Sequence, residues 1–477
     1  MNQYPLKTRH VRLLADTLTP VGLYLRLRDQ YANCLLLESS DYHGQQNAFS
    51  YLAFEPLARF EVSRGRVRQT FPDGSVQTET LAEPRLALDR LSRFAASFPT
   101  RPTGFDFITG GLFGYIGYEG VQYFEDLTLN PAKEAAGQIP EILYATYRYV
   151  IAINHFRNEL FVFEHSPEHE ATDHDGLTRL VNLIRNPSLP EFGFAASGAE
   201  QTNQTDEEFL AALAAGQQHC RRGDVFQIVL SRRFSQAFTG DEFNVYRALR
   251  SINPSPYLFY FDYGSFRIFG SSPETQLLIR GRQASLYPIA GTFRRTGHDE
   301  QDAELARQLA ADPKENAEHV MLVDLARNDL ARHGDNVKVK VFREIQFYSH
   351  VIHLVSEVTA TLAADVAPLQ VVADTFPAGT LSGAPKHRAM QLIDGLEPTA
   401  RGYYGGCLGH LGFDGDFNHA IMIRSFLSTA GQLHYQAGAG VVAASDINSE
   451  LQEVHHKLAA LRKALREAEK VGVVVDC

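Results

Sequence analysis

The chain has 477 residues, 44% hydrophobic and 21% charged, with 56 acidic against 45 basic side chains and a formal charge of -11. Such a composition belongs to a globular protein long enough for two domains, and it excludes a disordered chain, a collagen-like repeat and a general nucleic-acid binder. Four scattered cysteines without CxxC spacing, no apolar leader in MNQYPLKTRHVRLL and no apolar run of spanning length predict a reduced, cytoplasmic setting, with no zinc site and no membrane partner.

Residues 1 to about 185 read as strands with a few helices between them. The strand signals include LYLRL, CLLLES, ARFEVSRGRVRQTF with a hairpin at Pro72-Asp73-Gly74, and YRYVIAINHFRNELFVFEH. Between Asn186 and Asp206 the chain turns polar and rich in Pro, Gly, Ser and Asn, which predicts a boundary between a domain over 1–190 and a second over 206–470. The second half opens with an amphipathic helix near 206–222. Strands follow in DVFQIVLSRRFSQAF, in LFYFDYGSFRIFGSSPETQLLIRGRQASLYPIAGT and, later, in QLHYQAGAGVVAAS. Hairpin strands followed by long helices predict an α+β fold of layered antiparallel sheets rather than a doubly wound parallel sheet. Neither GxGxxG nor a Walker A pattern occurs, so no nucleotide is expected.

Two acidic pairs share an i, i+3 spacing, Glu315/Glu318 and Glu450/Glu453. Neighbours on a helix surface, each pair sets like charges together at a cost of about 0.2–0.5 kcal/mol. A hard divalent cation such as Mg2+ would offset that cost. Helix capping explains the same residues: Asp312-Pro313-Lys314-Glu315 reads as a cap, a first-position proline and a capping-box glutamate, and Ser449-x-x-Gln452 as a second box. Spacing alone leaves both readings standing.

Gly379-Thr380-Leu381-Ser382-Gly383-Ala384-Pro385 leads into a helix at 386–393, either an anion site of free backbone N–H groups or an ordinary turn. Gln436-Ala437-Gly438-Ala439-Gly440 puts two alternate glycines inside an apolar strand, as expected where another group approaches the backbone. Arg424, among the apolar residues of AIMIR, is a candidate carboxylate fork or a strand-edge salt bridge. His350 and His353 lie in an apolar segment, where a histidine is more often a satisfied core residue than a catalyst. GCLGH at 406–410 imitates the nucleophile elbow of glutamine amidotransferases, but its flanks read as a strand and hairpin and no downstream His-x-Glu supplies a base.

Taken together, PIAGT (288–292), DPKENAEHVMLVDLARNDL (312–330), GTLSGAPKHRAMQLI (379–393), YGG (404–406), AIMIRS (420–425), QAGAGVV (436–442) and SELQEVHHK (449–457) resemble the chorismate-utilising enzymes. More narrowly they are similar to the large subunit of anthranilate synthases. CLLLES (34–39) and GLFGYIGYE (111–119) resemble that family's N-terminal domain. The resemblance implies that Glu318 and Glu453 ligate Mg2+, with Glu315 and Glu450 close by, and that the metal holds the ring carboxylate of chorismate. It implies further that Gly438, Ala439 and Gly440 offer N–H groups to a substrate carboxylate, that Arg424 and Tyr404 fix the enolpyruvyl arm beside Lys457, and that Gly291 and Thr292 line the ring. Ala290 and Gln227 stand where sister enzymes carry a lysine nucleophile or a water-activating lysine, which favours anthranilate over aminodeoxychorismate, the alternative product.

The mechanism expected on these residues adds ammonia at C2 and has Glu315, with a pKa raised beside the metal cluster, protonate the departing C4 hydroxyl; by the same resemblance His353, with Thr380 near the departing group, serves the loss of pyruvate. No amidotransferase segment follows within these residues, so a separate glutaminase subunit is the expected ammonia source. Ser39 in Leu37-Glu38-Ser39, with Pro256, Tyr257 and Leu258 after Asn253, resembles the family's L-tryptophan feedback site between the domains. Departures from the family pattern are GTFRRTG at 291–297, Cys407, and His455-His456 beside an acidic pair.

Overall fold

The computed structural model describes residues 2–39, 48–171, 173, 175–347 and 351–471; the side chains of Thr292 and Lys314 fall outside that description. Among the described residues 22 strands join one hydrogen-bonded network. Its pivot is the long strand Ile142–Asn154, which pairs with Phe49–Ser63 along one edge and with both Leu112–Ile116 and Glu159–Pro167 along the other.

Two arms leave this pivot, and every ladder in them is antiparallel. The first continues from Phe49–Ser63 through Leu35–Glu38, Tyr257–Asp262, Phe266–Ser272, Ser425–Thr429 and Gln432–Val442 to Gln227–Gly240. The second continues from Leu112–Ile116 through Cys407–Leu411, Phe417–Ile421, Thr275–Arg280 and Gln283–Leu286 to Val351–Leu362. Side chains from both arms, among them Leu35, Phe113, Leu143, Phe259, Ile268, Leu408 and Leu427, meet in one buried apolar cluster. Helices cover the remaining apolar faces. Asp206–Arg222, Phe243–Ile252 and Ile447–Ala468 bury theirs against the first arm, Pro313–Ala331 and Pro368–Thr375 bury theirs against the second, and Leu86–Ala96 packs on Phe49–Ser63 and Arg66–Thr70. Such layering is the α+β antiparallel architecture that the hairpin-then-helix order predicts.

Local signals place several elements as read. The 206–222 helix carries a capping box between Thr205 and Glu208, and Pro72-Asp73-Gly74 turns between paired strands. Asp312 Oδ1 accepts from the Glu315 N–H at 3.1 Å, a cap worth about 1 kcal/mol. Elsewhere the structure differs. LYLRL is helical, because Thr19 caps a helix Pro20–Leu27 whose first position is a proline. The last helix begins at Ile447 with Asp446, not Ser449, as its cap. The polar 186–206 stretch contains a strand, Phe194–Thr202, paired with Gln227–Gly240. Ladders also run between the halves of the chain, Leu258 facing Glu38 and Cys407 facing Ile116. Cys407 is fully buried in its strand, which pushes its thiol pKa up, so it is no nucleophile.

Candidate active site

The chain crosses from one arm to the other between Ser272 and Thr275, and again between Ile421 and Ser425. Glu274 sits in the first crossing and Arg424 in the second. A residue at such a junction belongs to neither ladder, so its side chain can point where the arms meet. Arg424 does this at a cost, holding the left-handed backbone region with φ 50°.

Around these two crossings the structure gathers Thr380, Tyr404, Gly438, Glu453 and Lys457. Thr380, in the single turn Gly379–Ser382, donates its hydroxyl to Glu274 Oε1 at 2.8 Å. Lys457 donates to the Gly438 carbonyl at 2.9 Å and pairs with Glu453 one helical turn away. Burial raises the Glu274 carboxyl to about 7, while the Thr380 hydroxyl and the charges of Lys457 and Arg424 hold it from going higher. Burial likewise pushes the Tyr404 phenol up to about 12 and pulls the Arg424 guanidinium below its ordinary value, against the attraction of Tyr404, Glu453 and Glu274.

The glycine pattern of 436–440 now has a cause. Gly438 lies opposite Ser231 and Gly440 opposite Val229 in the ladder with Gln227–Gly240. A Cβ at Gly438 would come within 2.7 Å of the Leu230 carbonyl oxygen, and one at Gly440 within 2.6 Å of Gln227 Nε2. Ala439 points the other way and is fully buried.

A second set of residues comes from the second arm. His353 faces Thr292 across the ladder between Ile289–Arg294 and Val351–Leu362, and its Nδ1 lies 2.8 Å from the Gly291 carbonyl oxygen. A carbonyl only accepts, so Nδ1 carries the proton and Nε2 the lone pair. Burial and the Arg424 charge both pull His353 below the usual imidazole pKa, outweighing the Gly291 carbonyl, which keeps the ring neutral at pH 7. Gly291 itself has φ 68°, and a Cβ there would meet Leu309 at 2.6 Å and Glu315 Oε2 at 3.2 Å. Its bare backbone lets the first turn of helix Pro313–Ala331 close on the strand. His350 lies outside the described residues.

Glu315 thus borders the His353 side of this cluster and Glu453 the Arg424 side, with Glu318 one turn after Glu315 on its helix and Glu450 one turn before Glu453 on the last helix. Among the described residues no three His, Cys, Asp or Glu side chains approach closely enough to hold a metal ion together. The four acids lie as two pairs on separate helices, and carboxylate oxygen is the ligand type of Mg2+, which fills out its shell with waters and substrate oxygens.

Glu274 went unread in the sequence, where SSPETQ looks like a turn between strands. Its one signal was a lone carboxylate ahead of the apolar run QLLI.

The expected effector residues lie elsewhere. Ser39, Pro256 and Tyr257 line a cavity of about 940 Å³ with Leu37, Phe49 and Tyr51. Leu258 is not in its wall; it is buried in the ladder opposite Glu38. Glu38 is buried too, held by the Tyr246 hydroxyl at 2.7 Å and by Arg250 at 2.9 Å. No helix among the described residues is long and apolar enough to cross a membrane.

A model of chorismate-binding enzymes matches residues 32–463. Among similar proteins, anthranilate synthase component 1 of Thermus thermophilus is 38% identical, covering 96% of this chain and 97% of its own. The Geobacillus stearothermophilus protein of the same name is 37% identical over 96% and 94%. The crystal structure of anthranilate synthase component I from Streptococcus pneumoniae superposes with a TM-score of 0.77 at 30% identity, covering 95% of this chain and 99% of that one. MenF, a menaquinone-specific isochorismate synthase of Escherichia coli, shares the fold with a TM-score of 0.74 at 18% identity, over 97% and 95%. With a family model over most of its length and relatives matched nearly end to end, this chain belongs to the chorismate-binding enzymes and, within them, to the anthranilate synthase component 1 family.

Proposed function

We propose that this chain converts chorismate and ammonia to anthranilate and pyruvate, the committed step toward tryptophan. The observation that carries the reading is the meeting of a carboxyl protonated near neutrality, Glu274, with a guanidinium, an ammonium and a glycine-lined strand at one junction. A doubly negative substrate needs those cations and backbone donors, and loss of a hydroxyl needs that acid.

In this scheme Arg424 and the N–H groups of the Gly438–Gly440 strand hold the enolpyruvyl carboxylate, with Tyr404 against the arm and Gly291 and Thr292 along the ring. Glu318 and Glu453 would hold Mg2+, with Glu315 and Glu450 beside it, and the ion would balance the ring carboxylate and draw electron density from the ring. Ammonia bonds to C2, the ring double bonds shift, and the C4–O bond breaks as Glu274 gives its proton to the departing hydroxyl, releasing water. Glu274 takes this role in place of Glu315 because burial raises its carboxyl to about 7, and because the Thr380 hydroxyl, donating to Oε1, leaves Oε2 to carry the proton. His353 then takes the C2 proton at Nε2 while the enolpyruvyl C–O bond breaks. The enolate leaving group is protonated to pyruvate and the ring becomes aromatic.

Ammonia is supplied by a separate glutamine amidotransferase subunit, in keeping with the "component 1" in the relatives' names. The cavity beside Ser39 and Tyr257 is the site for L-tryptophan as inhibitor, its aromatic wall of Phe49, Tyr51 and Tyr257 suited to an indole. The test is direct: the purified chain with chorismate, ammonium and Mg2+ should produce anthranilate fluorescence. A 4-amino product would make it an aminodeoxychorismate synthase instead, and no turnover would remove the enzymatic reading.

A further inference from the structure

Arg401 is 1% exposed, and its guanidinium spends its donors on four acceptors from three places in the chain. Nη1 donates to the Leu381 carbonyl at 2.6 Å, Nη2 to the Val229 carbonyl at 2.7 Å, and Nε and Nη2 grip both oxygens of Glu397 at 2.9 and 2.6 Å. Glu397 in turn accepts from the Ser231 N–H and hydroxyl, each at 2.8 Å. Leu381 follows Thr380 in one turn, and Val229 lies opposite Gly440 in the ladder. One planar fork therefore spans the two walls between which the proposed substrate sits.

The same fork is seated on the N-terminal half. The Tyr118 ring lies 4.6 Å beneath the guanidinium. Glu119 accepts from the Arg401 and Gly402 N–H groups, both at 2.8 Å, and the Gly402 carbonyl accepts from the Tyr118 N–H at 2.8 Å. Tyr404, three residues on, has its ring 5.9 Å from the guanidinium.

We propose that Arg401 is a positioning residue for the synthase reaction: its guanidinium sets the distance between the Thr380 turn and the Gly438–Gly440 strand and anchors both to Tyr118 and Glu119. This rests on the reading of Thr380 and Gly440 as flanking the substrate. A lysine keeps the charge and can pair with Glu397, but a single ammonium cannot bridge Leu381, Val229 and both carboxylate oxygens in a plane. Displacements of about 1 Å cost on the order of 10²-fold in rate.

The test compares Arg401→Lys, Thr380→Val and the double variant in ammonium-dependent anthranilate formation, with rates normalised to folded protein. Arg401→Lys should lower kcat about 10- to 100-fold. Its chorismate KM should move less than about threefold, and adding Thr380→Val should cost little more than the worse single change. A residue that only stabilises the fold would lower the yield of folded protein and leave kcat alone. An Arg401→Lys kcat within about twofold of the parent, or full additivity with Thr380→Val, overturns the inference. If Arg401→Lys does not fold, Tyr118→Leu, which removes the ring and leaves the hydrogen bonds, should lower kcat about 3- to 10-fold, and an unchanged kcat overturns the inference. Full activity in Thr380→Val would instead sink the site reading beneath it.

Discussion

The junction around Glu274 and the cavity around Tyr257 are built from different materials. At the junction, charged and polar groups from at least five segments of the chain come within hydrogen-bond or electrostatic reach, and burial shifts Glu274, Tyr404, Arg424 and His353 from their ordinary protonation behaviour. The cavity is walled by aromatic rings and by charged side chains such as Arg101, Asp106 and Arg280, burial pulls the pKa of its His165 and His410 down, and its buried carboxylate, Glu38, is paired with Tyr246 and Arg250. Chemistry needs an acid, a base and cations converging on one point, whereas recognition of an amino-acid effector needs an aromatic wall for its side chain and polar partners for its two charged ends. Changes at the junction should therefore alter rate, and changes at the cavity should alter inhibition with little effect on rate.

The sharpest break would come from Glu274→Gln, which keeps the Thr380 contact and removes the proton. Anthranilate formation should fall about 10²- to 10⁴-fold with the thermal transition little changed, and a fall of less than tenfold would return the acid role to Glu315. His353→Met should stop the second stage, so aminodeoxyisochorismate accumulates while chorismate is still consumed. Unchanged anthranilate output, followed by chromatography, would remove His353 from the scheme.

The junction also predicts a pH dependence. With its carboxyl raised to about 7, Glu274 is protonated and active below that value, so kcat/KM should decline as pH rises through about 7. Stability follows the same sign: the neutral buried carboxyl is favoured below the unfolded value of 4.5, and that contribution is lost as pH rises through the folded value. A rate profile flat from 6 to about 8 would contradict the assignment. Between the two glycines, Gly438→Ala should damage chorismate KM more than Gly440→Ala. The first sets a methyl against a backbone carbonyl and the second against the movable end of Gln227. Equal effects would mean that the strand, not its neighbours, sets the spacing.

The smallest effect on rate belongs to the cavity. Ser39→Phe fills its wall and should relieve inhibition by L-tryptophan with ammonium-dependent turnover within about twofold of the parent; retained sensitivity would count against the cavity as effector site.

Much of this could be read from residues alone. Caps at Thr205 and Asp312, the Pro72-Asp73-Gly74 turn, alternating strands and the ordered motifs of the second half are local patterns, set within a few residues by backbone geometry and side-chain periodicity. The candidates Thr380, Arg424, Gly438 and Lys457 were legible because motifs carry them; the apolar surroundings of His353 pointed instead to a core residue, and only the family resemblance gave it a role. Glu274 and Arg401 were not. Nothing near Glu274 in sequence announces that burial will hold its proton, and Arg401 in ARGYYGG gives no sign that it bridges carbonyls 20 and 172 residues away.

The sequence alone thus determined most of the strands and helices, though not the helix Pro20–Leu27 or the strand Phe194–Thr202, along with the family and the residue types that stand ready for the chemistry. Tertiary structure decided that the two halves share one sheet, that Glu274 and Arg424 meet at its crossings, and that His353 is neutral with its lone pair on Nε2. The reason is physical: propensity and capping act over a few residues, but desolvation and charge pairing depend on whatever the fold brings alongside, however far away in the chain.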